Sequence, residues 1–106
     1  NSQVLLMGVT YKADVADVRE SPAVDVAQAL LDLGATVSFI DPLVDSWAIA
    51  DIEIEKVADL KSGLREAQVA VLLQAHSAFD RDVIVSSGTC VLDTRGALSG
   101  PMVVRL

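Results

Sequence analysis

Cysteine is almost missing from this chain. Cys90 is the only one in 106 residues. No internal disulfide can form, and the composition suits a reducing compartment, which sets cytoplasmic localisation as the expectation. Aromatic residues are scarce at 4%. The core must therefore be built from Val, Leu, Ile and Ala, the residues of parallel strands buried on both faces. Positive charge is short as well: 8 Lys and Arg stand against 15 Asp and Glu, for a net charge of −7. That balance excludes nonspecific binding to nucleic acid or to an anionic membrane surface, both of which need a basic face. No apolar run approaches the roughly 20 residues of a membrane span. His76, the only histidine, has no second ligand and makes no zinc site, so no metal is expected. The chain starts almost directly on an apolar strand, which leaves no room for a signal peptide. Two expectations follow for that start: a small stand-alone domain, or a piece of a longer polypeptide.

What the chain does have is apolar material, 52% of its residues, enough to fill the core of one domain. It also has one unusual loop. The run Val4–Met7 reads as a buried strand, and the amphipathic run Pro22–Leu33 reads as a helix. Ser21 suits the N-cap, Pro22 the first helical position, and Gly34 the helix stop. Residues 8–21 hang between them, far more than a strand-to-helix connection needs. In an open parallel sheet such a loop lies where ligands bind, and the helix N-terminus behind it favours an anion. Lys12 and Arg19, two of the few basic residues, both lie in it.

Taken in order, Gln3–Met7 is the first strand, and Val24, Ala27, Leu30 and Leu31 mark the core-facing stripe of the first helix. Ala35–Ile40 is a second strand, closed by Asp41-Pro42. Residues 44–50 read as irregular or as a short helical turn. Residues 52–57 alternate apolar and polar, as an edge strand would. Asp59–Ala67 reads as a helix, with Leu60 and Leu64 inward. Gln68–Leu73 is the most apolar stretch and reads as a central strand. Asp80–Ser86 is a short helix or turn, Thr89–Asp93 a strand, and Met102–Leu106 a last short strand. Strands alternating with helices imply an α/β domain with a mainly parallel sheet of about five to six strands. Right-handed crossovers then gather residues 8–19, Asp41, residues 74–77 and Thr94-Arg95 along one sheet edge.

Each candidate at that edge carries two readings. Lys12 and Arg19 could address two anionic groups, one as a point charge and one as a bidentate fork. Equally, they could be solvated cations paired with Asp14, Asp17 and Glu20. Arg95 could project over the edge toward a ligand, or pair with Asp93 at the surface. Cys90 suits a structural role, because a reactive thiolate needs an electropositive, partly open site. Asp41 occupies the place where a dinucleotide fold holds a ribose, but the Gly-x-Gly-x-x-Gly fingerprint that should accompany it is missing, as is the P-loop pattern. Trp47 reads either as a packing anchor or as an interface residue. No nucleophile or general base emerges, so no catalytic residue is assigned. The chain reads as a binding half without a catalytic half.

The loop Gly8-Val-Thr-Tyr-Lys-Ala-Asp-x-x-Asp-Val-Arg-Glu-Ser-Pro-Ala23 closely resembles the opening of the C-terminal domain of the UDP-glucose/GDP-mannose dehydrogenase family. Later landmarks resemble it too: Gly34-Ala35, Asp41-Pro42, His76-Ser-Ala-Phe79 and Asp93-Thr-Arg-Gly96. The likeness covers nearly the whole chain. It implies a Rossmann-like three-layer sandwich that binds the UDP of a nucleotide sugar. It also implies an enzyme, active in polysaccharide biosynthesis, that oxidises a UDP-sugar C6 alcohol to a uronate with two NAD. NAD would be held mainly by another domain, and the reaction would pass through a thiohemiacetal on a cysteine that this chain does not contain. By the same resemblance Tyr11, Lys12 and Arg95 contact the substrate, and Arg19 reaches toward NAD. The partners implied are the UDP-sugar and the NAD-binding and central domains of the same polypeptide, in an enzyme that forms a homo-oligomer. The isolated chain is then inactive. Ala13 departs from the proline that many members carry after the lysine. The Gln74-Ala-His76-Ser77 stretch looks more similar to the UDP-N-acetyl-mannosamine dehydrogenase branch than to the UDP-glucose branch. The rival expectation is a stand-alone nucleotide-binding or regulatory module without catalysis.

Overall fold

The computed structural model describes residues 2–19 and 21–105. Glu20, one of the acids weighed as a partner for the loop cations, and Leu106, the end of the expected last strand, lie outside the described residues. Among the described residues, eight strands and three helices follow one another as β1 (Gln3–Met7), α1 (Pro22–Asp32), β2 (Thr36–Ile40), β3 (Ala48–Ile49), β4 (Ile52–Glu53), β5 (Glu55–Lys56), α2 (Leu60–Glu66), β6 (Val69–Leu72), α3 (Arg81–Ser86), β7 (Cys90–Asp93) and β8 (Val103–Arg105). Six strands form one sheet in the order β5-β2-β1-β6-β7-β8, and every pairing within it is parallel. The expected α/β, Rossmann-like sandwich is the fold observed.

The two faces of the sheet carry separate cores. Val4, Leu6, Val37, Phe39 and Val71 point to one face and pack against α1 and Trp47. Leu5, Met7, Ala70, Leu72 and Val91 point to the other, with Leu64 of α2 and Ile84 of α3. The consecutive apolar residues of β1 are thus divided between two cores, which is why the strand shows no polar alternation. Trp47 is a packing anchor, 5% exposed, with its ring edge against Phe39 at a centroid distance of 5.5 Å.

The start and stop signals act as expected. Ser21 caps α1 by accepting the Ala23 N–H, and Pro22 opens the helix. Gly34 follows α1 with φ +86°, the left-handed geometry that ends helices at glycine. Asp59 and Asp80 cap α2 and α3 in the same way, each accepting N–H groups of the first turn.

Two expectations need correction. The core stripe of α1 runs through Ala23 and Ala27, both fully buried, with Leu30 and Leu31 partly buried against the same core. Val24 is exposed instead. The helix faces the sheet with its small residues, which lets it lie close, and this rotates Val24 outward. Residues 52–57 do not form one edge strand. Residues 48–53 make a hairpin, β3 against β4, around Ala50 (φ 48°) and Asp51 (φ 67°). Two successive positive φ values give the tight turn whose twist matches a two-residue hairpin. Ile54 then turns inward, its N–H bonded to the Trp47 carbonyl, and only Glu55–Lys56 join the sheet beside β2.

Gly8 leaves β1 with φ +84°, and a Cβ there would stand 2.7 Å from the Gln74 carbonyl oxygen. Both the backbone angle and the contact exclude a side chain. Gly8→Ala is expected to destabilise the domain by at least ~2 kcal/mol, read as a lower urea midpoint at an unchanged slope.

Candidate functional site

The register aligns the strand ends. Met7 stands opposite both Ile40 and Leu72, and Leu72 opposite Asp93. The connections after β1, β2, β6 and β7 therefore leave from one edge, as the crossover rule requires.

Three of these connections are tied together by buried polar groups. Asp41, at the end of β2, is fully buried. Its Oδ2 accepts the Val9 N–H at 2.8 Å and its Oδ1 the Leu43 N–H at 2.8 Å. The same Oδ2 lies 2.9 Å from His76 Nε2. His76, after β6, is 1% exposed. Its Nδ1 accepts the Asp14 N–H at 2.8 Å, so the ring proton resides on Nε2, which donates to Asp41. Thr10 Oγ1 lies 3.2 Å from Nε2 and donates to the Lys12 carbonyl at 2.7 Å. Gln74, also buried, donates its side-chain N–H to the Tyr11 carbonyl at 2.9 Å.

The far side of the loop is held too. Ser77 donates both its backbone N–H and its hydroxyl to Asp14 Oδ1, at 2.8 and 3.0 Å. These two bonds hold the Asp14 carboxyl below the usual carboxylate range and fix Asp14 at φ 62°. Ser21 Oγ donates to the Thr10 carbonyl at 3.2 Å, joining the loop to the cap of α1. Among the described residues, no buried side-chain nitrogen or oxygen lacks a partner.

The side chains singled out from the sequence have the opposite character. Tyr11 and Lys12 are exposed, and their nearest recorded relation is to each other, Lys12 Nζ lying 5.9 Å from the Tyr11 ring centroid. Arg95 is exposed. Its backbone N–H, not its guanidinium, bonds Asp93 Oδ1 at 2.9 Å. The Asp93 carboxylate also takes the Gly96 and Leu98 N–H groups. Asp93 therefore shapes the turn, and the suggested Asp93–Arg95 side-chain pair is not formed. Among the described residues, no carboxylate lies within ion-pair distance of Lys12 or Arg95.

Arg19 differs. Its Nε and Nη2 reach Asp17 Oδ1 and Oδ2, both at 3.0 Å, so the pairing with Asp17 weighed from sequence is present. The guanidinium bonds draw the Asp17 carboxyl down to about 2 and push the arginine up. The Arg19 side chain remains 85% exposed.

The structure thus brings Tyr11, Lys12 and Arg95 to one edge of the sheet. Their parent strands β1 and β7 are two strand spacings apart, about 10 Å, with β6 between them. Asp41, His76, Gln74 and Thr10 are the residues whose joining role sequence reasoning misses: Asp41 reads there only as a ribose ligand and His76 only as a metal ligand. The signal was available: polar residues directly after three adjacent apolar strands have to satisfy one another once buried. Asp41 is saturated by two backbone N–H groups and His76, which removes it as a ribose ligand. Cys90 opens β7 half-buried. Among the described residues, no group of three His, Cys, Asp or Glu could hold a metal ion, and no helix is long and apolar enough to cross a membrane.

Comparison with known proteins fits this geometry. Residues 5–100 match the UDP-binding domain of the UDP-glucose/GDP-mannose dehydrogenase family. A UDP-N-acetyl-D-mannosamine dehydrogenase of Methanococcus maripaludis is 36% identical over 77 residues, covering 73% of this chain and 17% of that protein. An NDP-N-acetyl-D-galactosaminuronic acid dehydrogenase of Ralstonia nicotianae is 31% identical over 99 residues, covering 91% of this chain and 23% of that protein. The UDP-N-acetyl-mannosamine dehydrogenase of Staphylococcus aureus superposes with a TM-score of 0.71 at 27% identity, over 99% of this chain and 26% of that one. The GDP-mannose dehydrogenase of Pseudomonas aeruginosa superposes with a TM-score of 0.80 at 24% identity, over 99% and 28%, a likeness of fold. The chain spans about a fifth of the curated relatives it matches, 17% and 23%. Edge, loop and sequence agree, and the chain belongs to the UDP-glucose/GDP-mannose dehydrogenase family through that family's UDP-binding domain.

Proposed function

We propose that residues 1–106 form the substrate-nucleotide-binding domain of an NAD-dependent nucleotide-sugar 6-dehydrogenase, which oxidises the C6 alcohol of a UDP-sugar to a uronate. The observation that carries this reading is the contrast within one loop. The backbone around Lys12 is clamped by Thr10, Gln74 and His76 and the Asp14 carboxylate by Ser77, while the Lys12 side chain is exposed with no carboxylate beside it among the described residues. In a chain of net charge −7, an unpaired cation on a rigid mount suits a phosphate group. Lys12 neutralises substrate phosphate, Tyr11 packs beside it, and Arg95 holds the nucleotide sugar from the β7 side. Orientation is the contribution of this domain, since preformed geometry reduces the ordering cost of binding.

Bound by the remainder of the enzyme, NAD would supply the hydride acceptor. This chain's own residues fit that division. The glycine fingerprint is missing and Asp41 is saturated, so the dinucleotide is not cradled here, while Arg19 stands exposed at the outer end of the loop and faces it across the cleft. Among the described residues, the acids and the histidine of the edge are engaged in holding the loop, which suits a domain that supplies one wall of the site and is inactive alone.

Titration of the purified chain with UDP, by calorimetry or NMR shifts, tests the assignment. Saturable binding is expected, weakened by about 1.5–3 kcal/mol in Lys12→Ala, as for a charge-assisted contact. Arg95→Ala is expected to weaken it as well. Unchanged affinity in both variants would remove the site from this edge.

The Arg19 role has a separate signature. Asp17 has a depressed folded-state value, so its pairing energy is present above its ordinary value of 3.8 and is lost only as pH falls through about 2. Carbon-detected NMR is expected to place the Asp17 midpoint near that lower value, and Arg19→Ala to return it toward the ordinary one. A midpoint indifferent to Arg19→Ala would mean that the pair is not maintained in solution.

A further inference from the structure

We propose that His76 is the positioning residue of the nucleotide loop, holding Lys12 in place through the Asp14 N–H. The proposal rests on the functional reading above for what the loop binds, but its structural half stands on its own geometry. Three observations lead to it. His76 is buried, and both ring nitrogens are engaged. Each nitrogen faces a different element: Nε2 faces the end of β2, and Nδ1 faces the loop. Among the described residues, no other buried side chain accepts a backbone N–H from the loop between Tyr11 and Arg19; the one further side-chain acceptor there, Asp17 toward the Arg19 N–H, is itself a loop residue and partly exposed.

The ring acts as a spacer with a fixed polarity. Asp41 holds the Nε2 proton, and this leaves Nδ1 as an acceptor. Asp14 must then present its N–H inward, which its positive φ of 62° achieves. With that amide turned inward, the Asp14 carboxylate meets the Ser77 N–H and hydroxyl. Lys12 lies two residues earlier, its carbonyl taken by Thr10, whose hydroxyl touches the same imidazole. The ring packs at 5.5 Å from Phe79, which fixes its plane. A tautomeric reversal would set N–H against N–H at Asp14 and leave Asp41 without its donor.

Two conservative variants separate this role from ordinary core packing. In His76→Asn, the amide oxygen can take the place of Nδ1 and keep the Asp14 bond while the link to Asp41 is lost. In His76→Gln, the longer amide can take the place of Nε2 and keep the Asp41 bond while the Asp14 acceptor is lost. A merely structural histidine would tolerate the variant that keeps the buried Asp41 paired, which is His76→Gln. A positioning histidine requires the reverse. His76→Asn is expected to retain UDP affinity within about threefold, and His76→Gln to lose at least tenfold. Amide hydrogen exchange at Lys12 and Asp14 is expected to accelerate in His76→Gln while β1 and β6 stay protected. The affinity loss is expected to vanish in a Lys12→Ala background, because both changes act through one cation.

Equal affinity in the two variants, or loss in His76→Asn alone, would overturn the proposal. So would wild-type exchange at Lys12 and Asp14 in His76→Gln, whatever UDP does. If the wild-type chain shows no UDP binding, the functional reading fails while the exchange comparison still decides the role of the histidine in the loop. Should either variant not fold, the unmodified chain answers directly: a nitrogen–nitrogen scalar coupling between the Asp14 amide and His76 Nδ1 is expected, and its absence would sink the proposal.

Discussion

The imidazole of His76, set between Asp41 and the Asp14 N–H, is the group through which the loop after β1 is held to the edge of the sheet. Its bond to Asp41 joins the ends of β2 and β6 across the exit of β1, where three connections meet. A carboxyl group there is tolerable only because both oxygens are hydrogen-bonded: two backbone N–H groups and an imidazole replace the solvent it has lost. The cost of breaking that arrangement is asymmetric. Removing one partner would strand a buried polar group, whose loss exceeds what the bond itself contributes. The pair therefore holds the start of the loop, Val9 and Thr10, as firmly as the strand holds Met7.

From that fixed start the loop is built outward with one job divided between backbone and side chains. Backbone groups on either side of Lys12 are bonded by Thr10, His76 and Gln74, and the Asp14 carboxylate is bonded by Ser77. The Lys12 side chain is exposed and, among the described residues, has no carboxylate within ion-pair distance. Placing most cations in ion pairs would have been easy in a chain with 15 acidic residues. The bonds that draw the nearest acid, Asp14, come from Ser77, and the bonds that draw Asp17 come from Arg19. Asp14 and Asp17 are thus occupied elsewhere, and among the described residues no carboxylate lies within ion-pair distance of Lys12.

How much of this was legible in the sequence varied with the range of the interaction concerned. β1, α1 and β2 could be read closely because local signals mark them: a continuous apolar run, Ser21-Pro22 at the helix start, Gly34 at its end. The long loop was legible for the same reason. The β3–β4 hairpin was not, because Ala50-Asp51 lacks the Asn-Gly or Asp-Gly pair that announces such turns, and the alternation of Ile52 and Ile54 imitated one strand. The candidate cations were legible by type and place. Which of them would be free was not: Arg19 finds Asp17 two residues away, whereas Arg95 ignores Asp93 two residues away because that carboxylate is consumed by backbone amides. The Asp41–His76 bond spans distant parts of the chain, and only the pairing of β1 with both β2 and β6 brings its partners together.

The bidentate Arg19–Asp17 pair need not disable Arg19 as a ligand-facing group. The pair lies at the surface, where solvent and salt screen charge and exposed ion pairs contribute little to stability. A guanidinium so exposed can exchange one carboxylate for a phosphate at small cost, because both offer the same fork geometry. Asp17 holds the guanidinium in that bidentate geometry. The Tyr11 N–H bonded to the Asp17 carbonyl ties the pair to the clamped half of the loop. The Arg19–Asp17 pair and the backbone on either side of Lys12 are thus parts of one hydrogen-bonded unit, anchored through His76 to the sheet.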